Sequence, residues 1–182
     1  MMSNAAIVAI AVAAVLGFWI LGAYNRLVRL RQTLAAAFAL VDAQLRLRHD
    51  LLAELIEAAA AELADTPEAC AALEAARLQA RIAADRAAHR PASAGRLASL
   101  GLAEQVLRTA VSRLITLVKA RPALRSDPKL REGLKKLSTT QTRLAAERHT
   151  FNAIVLDYNR SARQFPTSLV AAMFGFRAAG PL

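Results

Sequence analysis

The sequence predicts an all-α protein: an N-terminal transmembrane helix continuing into an antiparallel up-down four-helix bundle with long helices 1 and 4. Three observations predict it. Residues 5–23, AAIVAIAVAAVLGFWILGA, carry no charge, and a helix needs roughly 20 such residues to cross about 30 Å of hydrocarbon. The rest is rich in Ala, a strong helix former with little β preference, and its few Gly and Pro are clustered. Apolar residues recur at steps of three and four in the segments between those clusters.

The first element is a membrane anchor, residues 1–24. A signal peptide would start with positive charge and have a shorter apolar core. Met1 to Asn4 carry no basic side chain, although Leu21-Gly22-Ala23 resembles a weak cleavage site. A buried core helix is not expected at an extreme terminus in a run with nothing amphipathic about it. Trp19 suits an interfacial aromatic. Arg26, Arg29 and Arg31 follow the run and no basic residue precedes it. That asymmetry predicts N-out orientation in the inner membrane, with the domain cytoplasmic. Cys70 is the single cysteine, which excludes an internal disulfide and fits a reducing compartment.

Residues 25–166 form the bundle domain. No Pro or Gly interrupts Ala23 to Ala64, so the first helix is expected to continue to about Ala64. Asp65-Thr66-Pro67-Glu68 reads as a break, an N-cap, a Pro at the first helical position and an acid. The second helix runs to His89, before the loop Arg90 to Gly95. The third covers Arg96 to Ala120 and stops near Pro122. Ser126-Asp127-Pro128 repeats the cap-plus-Pro pattern, and the fourth helix extends to Gln164. Pro166 ends it, leaving the apolar tail 167–182.

The lengths are unequal. Beyond the anchor, helix 1 has about 40 residues and spans about 60 Å, against about 36 Å for helices 2 and 3. The short pair then covers only the membrane-distal part of the long pair. Leu30, Leu34, Phe38, Phe151, Val155 and Tyr158 are left as a two-helix interaction stalk. Its apolar surface calls for a partner, self-association or a cover. The tail is one candidate cover; the bilayer interface is its other resting place.

Certain motifs are familiar. Tyr24-Asn25-Arg26-Leu27 follows the anchor. Asp42-Ala43-Gln44-Leu45-Arg46-Leu47-Arg48-His49-Asp50-Leu51 lies on helix 1. Tyr158-Asn159, Phe165-Pro166 and Gly175-Phe176 come near the end. In this order they resemble the LemA family, MamQ-like magnetosome-associated relatives included. The resemblance implies a single-pass bacterial membrane protein with a helical-bundle domain and no established enzymatic activity. Leu52-Ala53-Glu54-Leu55 replaces the family's Ile-Pro-Asn-Leu stretch, Phe38 stands where Trp is frequent, and the chain ends Gly-Pro-Leu without an aromatic finish. Any ligand tied to that Pro-Asn does not carry over.

Four polar residues fall on apolar stripes. The series 38, 42, 45, 49, 52 steps by four and three, placing Asp42 and His49 on or beside the buried face. Gln141 and Arg148 sit likewise between Leu137, Leu144 and Phe151. If helices 1 and 4 are antiparallel, facing residue numbers sum to about 190. That pairs Asp42 with Arg148 and His49 with Gln141 as a buried polar layer. A metal site would need several converging ligands, and no HExxH, CxxC or Glu-x-x-His pair is present. No catalytic residue, metal or cofactor is expected. Cys70 sits on an Ala-rich helix with no histidine nearby in sequence, and no glycine-rich phosphate loop occurs.

The net charge of +10 is uneven: residues 25–92 carry nine basic and nine acidic side chains, residues 93–182 fifteen and five. No motif or aromatic pattern points to nucleic acid. Anionic lipid at the tethering membrane fits the charge better; a solvated Arg-rich face is the plain alternative. The function expected is a non-enzymatic membrane-anchored scaffold of the cell envelope, with an unidentified protein partner or self-association. A regulatory subunit of a membrane enzyme complex is the alternative.

Overall fold

The computed structural model describes residues 4–60 and 62–182. Six helices follow one another: α1 (Asn4–Ala60), α2 (Pro67–Ala88), α3 (Ala94–Ala120), α4 (Pro122–Ser126), α5 (Pro128–Arg163) and α6 (Thr167–Met173). The described residues contain no strand.

The 57 residues of α1 extend about 85 Å. Its first part is, among the described residues, the single helix long and apolar enough to cross a membrane, and none of its most apolar 18-residue window is buried in the protein. Val8, Val15 and Phe18 point outward there. The same helix then enters the body without a break.

The described helix 1 ends at Ala60, short of the expected end near Ala64, and residues 62–65 form a turn. Pro67 disfavours helical geometry at the residue before it. Arg121, where α3 gives way to α4, also captures the turn. Its guanidinium donates to the Glu62 carbonyl, to both Asp65 carboxylate oxygens at 2.7 and 2.8 Å, and to Thr66 Oγ at 3.1 Å. That pairing holds the Asp65 carboxyl below its ordinary range. Thr66 therefore does not cap α2 with its side chain. Asp127 does cap α5, accepting from the Lys129 and Leu130 amides at 2.7 and 3.1 Å.

Helix α1 packs along α5 and against α2; α2 packs on α3; α6 touches both α1 and α5. Three contacts set the α1–α5 register. Arg26 donates to Ser161, Phe38 meets Phe151 edge to face at 5.6 Å between ring centroids, and Leu55 fills the space beside Gly133. Numbers rise along α1 as they fall along α5, so the two helices are antiparallel. The paired numbers total 187 to 189, within one helical turn of the expected 190.

The apolar core is divided. A distal cluster joins Leu52, Leu55 and Leu63 to Leu73, Leu107, Leu114 and Leu137. A second joins Leu34, Phe38 and Leu45 to Ala84, Leu97, Leu100, Leu144 and Phe151. The break falls at one level: between Leu45 and Leu52, Ala80 and Ala84, Leu100 and Ala103, Leu137 and Leu144. Buried Arg48, His49, Glu104 and Thr140 lie at that level. A third cluster forms at the end of the uncharged run, where Val170 and Ala171 of α6 meet Ala23 and Leu27, flanked by Trp19, Ile20 and Phe176.

Candidate functional site

The polar level opens into a cavity of about 240 Å³ between α1, α3 and α5. Arg48 enters from α1, Glu104 and Arg108 from α3, Gln141 and Arg148 from α5; Leu107, Val111, Leu144 and Ala145 complete the wall. Arg48 Nη2 donates to Glu104 Oε1 at 2.5 Å, and these side chains are 10% and 4% exposed. Glu104 is the single carboxylate in the lining, opposite three guanidiniums. Arg48 Nε is buried without a hydrogen-bond partner among the described residues. Burial lowers the Arg148 pKa; Glu104 opposes the shift, and the like charges of Arg108 and Arg48 add to it.

The structure brings Gln141 and Arg148 to this cavity but directs Asp42 elsewhere. Asp42 Oδ2 accepts from Arg46 Nε at 2.8 Å, one turn along α1, and Arg46 reaches Asp85 of α2 at 3.0 Å. The expected Asp42–Arg148 pair is therefore corrected. Asp42 lies at the α1–α2 edge of its stripe, so its carboxylate meets the neighbour on that side. The His49–Gln141 pair is corrected too. His49 is 2% exposed, and neither ring nitrogen has a partner among the described residues, whereas Gln141 is largely exposed. Burial lowers the His49 pKa to about 4; Arg48, Arg77 and Arg81 push the same way and Glu104 opposes them. His49 is a neutral core residue.

Arg48, Glu104 and Arg108 are the members that sequence reasoning missed. Glu104 sits four residues after Leu100 and three before Leu107, the same phase that singled out His49. The signal was present on α3.

The six stalk residues do come together: Leu34, Phe38, Phe151, Val155 and Tyr158 are buried in the second cluster and Leu30 packs against it. The uncovered stalk is nonetheless corrected. Ala84, Ala87, Leu97 and Leu100 of α2 and α3 share that cluster, as does Ala179 of the tail. The tail is held by polar side chains of α5. The Asn159 amide donates to the Ala179 carbonyl at 2.9 Å and accepts from its N–H at 2.8 Å. Asn152 does the same with Leu182, at 2.9 and 2.8 Å. Tyr158 donates its hydroxyl to the Arg177 carbonyl at 2.9 Å, and burial pushes its pKa up. The two asparagines are seven residues apart, two helical turns on one face.

Among the described residues, no group of three His, Cys, Asp or Glu side chains stands where it could hold a metal ion. Burial raises the pKa of the half-buried Cys70 thiol, which keeps it protonated.

The LemA family model matches residues 37–181, most of the chain. This protein belongs to the LemA family. The matched region begins inside α1 and runs through the polar level and the clamped tail. Membership agrees with the motif resemblance and with a membrane-associated bacterial protein. No curated protein matches this LemA chain.

Proposed function

We propose that this LemA-family chain is a non-enzymatic, membrane-anchored helical scaffold of the bacterial cell envelope, working in membrane organisation. The long helices act as an antiparallel up-down bundle standing on the inner membrane, with the body in the cytoplasm. One observation carries the reading: a single unbroken helix, α1, supplies both the apolar span and the spine of the body. A helix with no Pro and no Gly between Ala23 and Ala60 has no hinge. The body is therefore held at a set attitude to the bilayer.

Helix α6 supports this. It packs beside Trp19 and Ile20, at the end of the uncharged run, and leaves Leu169, Met173 and Phe174 exposed. Those side chains enter the lipid interface, and Arg26, Arg29, Arg160 and Arg163 stand where anionic headgroups attract them.

A regulatory subunit of a membrane enzyme is the second reading. It is favoured by Leu78 and Ile82 of α2 and Leu102 and Val106 of α3, which stay exposed at 44% to 66%. Pull-down of the full chain from detergent-solubilised membranes separates the two. Self-association without a partner supports the scaffold. A stoichiometric enzyme partner overturns it in favour of the regulator.

A further inference from the structure

The cavity between α1, α3 and α5 has a charge imbalance that the scaffold reading does not use. Three guanidiniums and one carboxylate share a space of about 240 Å³. Glu104 is already engaged by Arg48. Neither Arg108 nor Arg148 has an ion-pair partner among the described residues within 4.0 Å. Arg48 is nine-tenths buried, yet its Nε finds no acceptor. Guanidinium donors brought together in a partly dry site are what an oxyanion with several acceptor oxygens satisfies.

We infer that this cavity is a binding site for a small soluble phosphate-bearing anion, held by Arg48, Arg108 and Arg148, with Gln141 at its mouth. The Arg48–Glu104 pair orients the Arg48 fork, and the anion offsets the positive charge that Glu104 leaves over. The size favours a small ligand, since drug-sized ligands occupy roughly 300–1,000 Å³. A lipid headgroup does not reach it: Arg48 lies about 38 Å along α1 from Ala23, at 1.5 Å per residue. The inference is independent of the scaffold reading, because its test reads binding alone.

The test uses the full chain in detergent, with thermal unfolding and calorimetric titration against two probes, inorganic phosphate and glycerol 3-phosphate. Chloride at matched ionic strength is the control. Phosphate is expected to raise the midpoint with a concentration dependence set by mass action. Removing a guanidinium weakens binding by about 10- to 100-fold, so Arg108→Gln with Arg148→Gln abolishes the effect at millimolar phosphate. Both side chains reach solvent, and the Arg48–Glu104 pair stays intact, so the double variant folds. Without phosphate its midpoint is equal or higher, because like charges are relieved. Arg90→Gln with Arg177→Gln, at a separate arginine group near the start of α3, leaves phosphate binding unchanged.

Tighter binding of glycerol 3-phosphate identifies a phosphorylated metabolite as the ligand class; equal or tighter binding of inorganic phosphate identifies the free anion. The inference is overturned if neither probe shifts the midpoint beyond chloride. It is equally overturned if the Arg108/Arg148 double variant binds phosphate as the unaltered chain does.

Discussion

Asn159 grips Ala179 by both edges of one amide, donating to its carbonyl at 2.9 Å and accepting from its N–H at 2.8 Å. A side-chain amide carries a donor and an acceptor side by side, as a backbone peptide does, so it pairs with an extended segment. Asn159→Ala removes two hydrogen bonds and leaves a part-buried backbone pair unmet. The expected cost is about 1–3 kcal/mol. Hydrogen exchange should quicken at Ala179 and spread to Leu182 if Asn152 is changed as well. Unaltered exchange at both amides would show that apolar packing alone seats the tail.

Gly180 tests the same seat from the opposite side. A Cβ there would lie 2.7 Å from the Cα of Ala94, which is backbone and cannot swing aside. Gly180→Ala should therefore lift the tail from α3. Gly175 differs: it has open space but a φ of +69°, so Gly175→Ala should cost about 1 kcal/mol through backbone strain alone. Limited proteolysis should cut the tail faster in the Gly180 variant than in the Gly175 variant.

Arg48 and Glu104 form the buried ion pair of the body, and Asp42 with Arg46 a partly exposed one. Arg48→Met leaves the Glu104 carboxylate buried and unpaired, at an expected cost of about 3–5 kcal/mol, and Glu104→Leu in the same chain should recover most of it. Asp42→Ala should cost about 1 kcal/mol or less, since Arg46 remains solvated and keeps Asp85. Urea unfolding of the three variants ranks them; a loss at Asp42 equal to that at Arg48 would contradict the assignment.

His49 makes stability fall in acid. Its pKa is about 4 in the folded chain, against an ordinary 6.5. Between those values the unfolded chain binds more protons, so stability rises with pH and is lost as pH drops from about 6.5 through 4. The full span is worth at most about 3 kcal/mol. His49→Leu should flatten the denaturation midpoint over that window while leaving it near its original value at neutral pH. An unchanged acid slope in the variant would assign the effect to carboxylates instead.

The sequence by itself determined the span, the order of the long helices and the α1–α5 register. Each follows from information local to one helix or shared by two: an uncharged run, Pro and cap residues at the breaks, and apolar steps that leave one face for burial. Phe38 and Phe151 could be matched because both lie in the middle of their stripes. Tertiary structure alone decided the partners of residues at stripe edges. Asp42 and Arg148 share a level, but which neighbour each meets depends on how α2 and α3 are rotated about the α1–α5 pair. A step of three or four residues does not encode that rotation. The tail was legible as an apolar candidate cover, but its seat was not, because what the α5 side chains hold is the tail's own backbone. Asn152, Asn159 and the close approach to Ala94 define that seat, and they come together only once distant segments have packed.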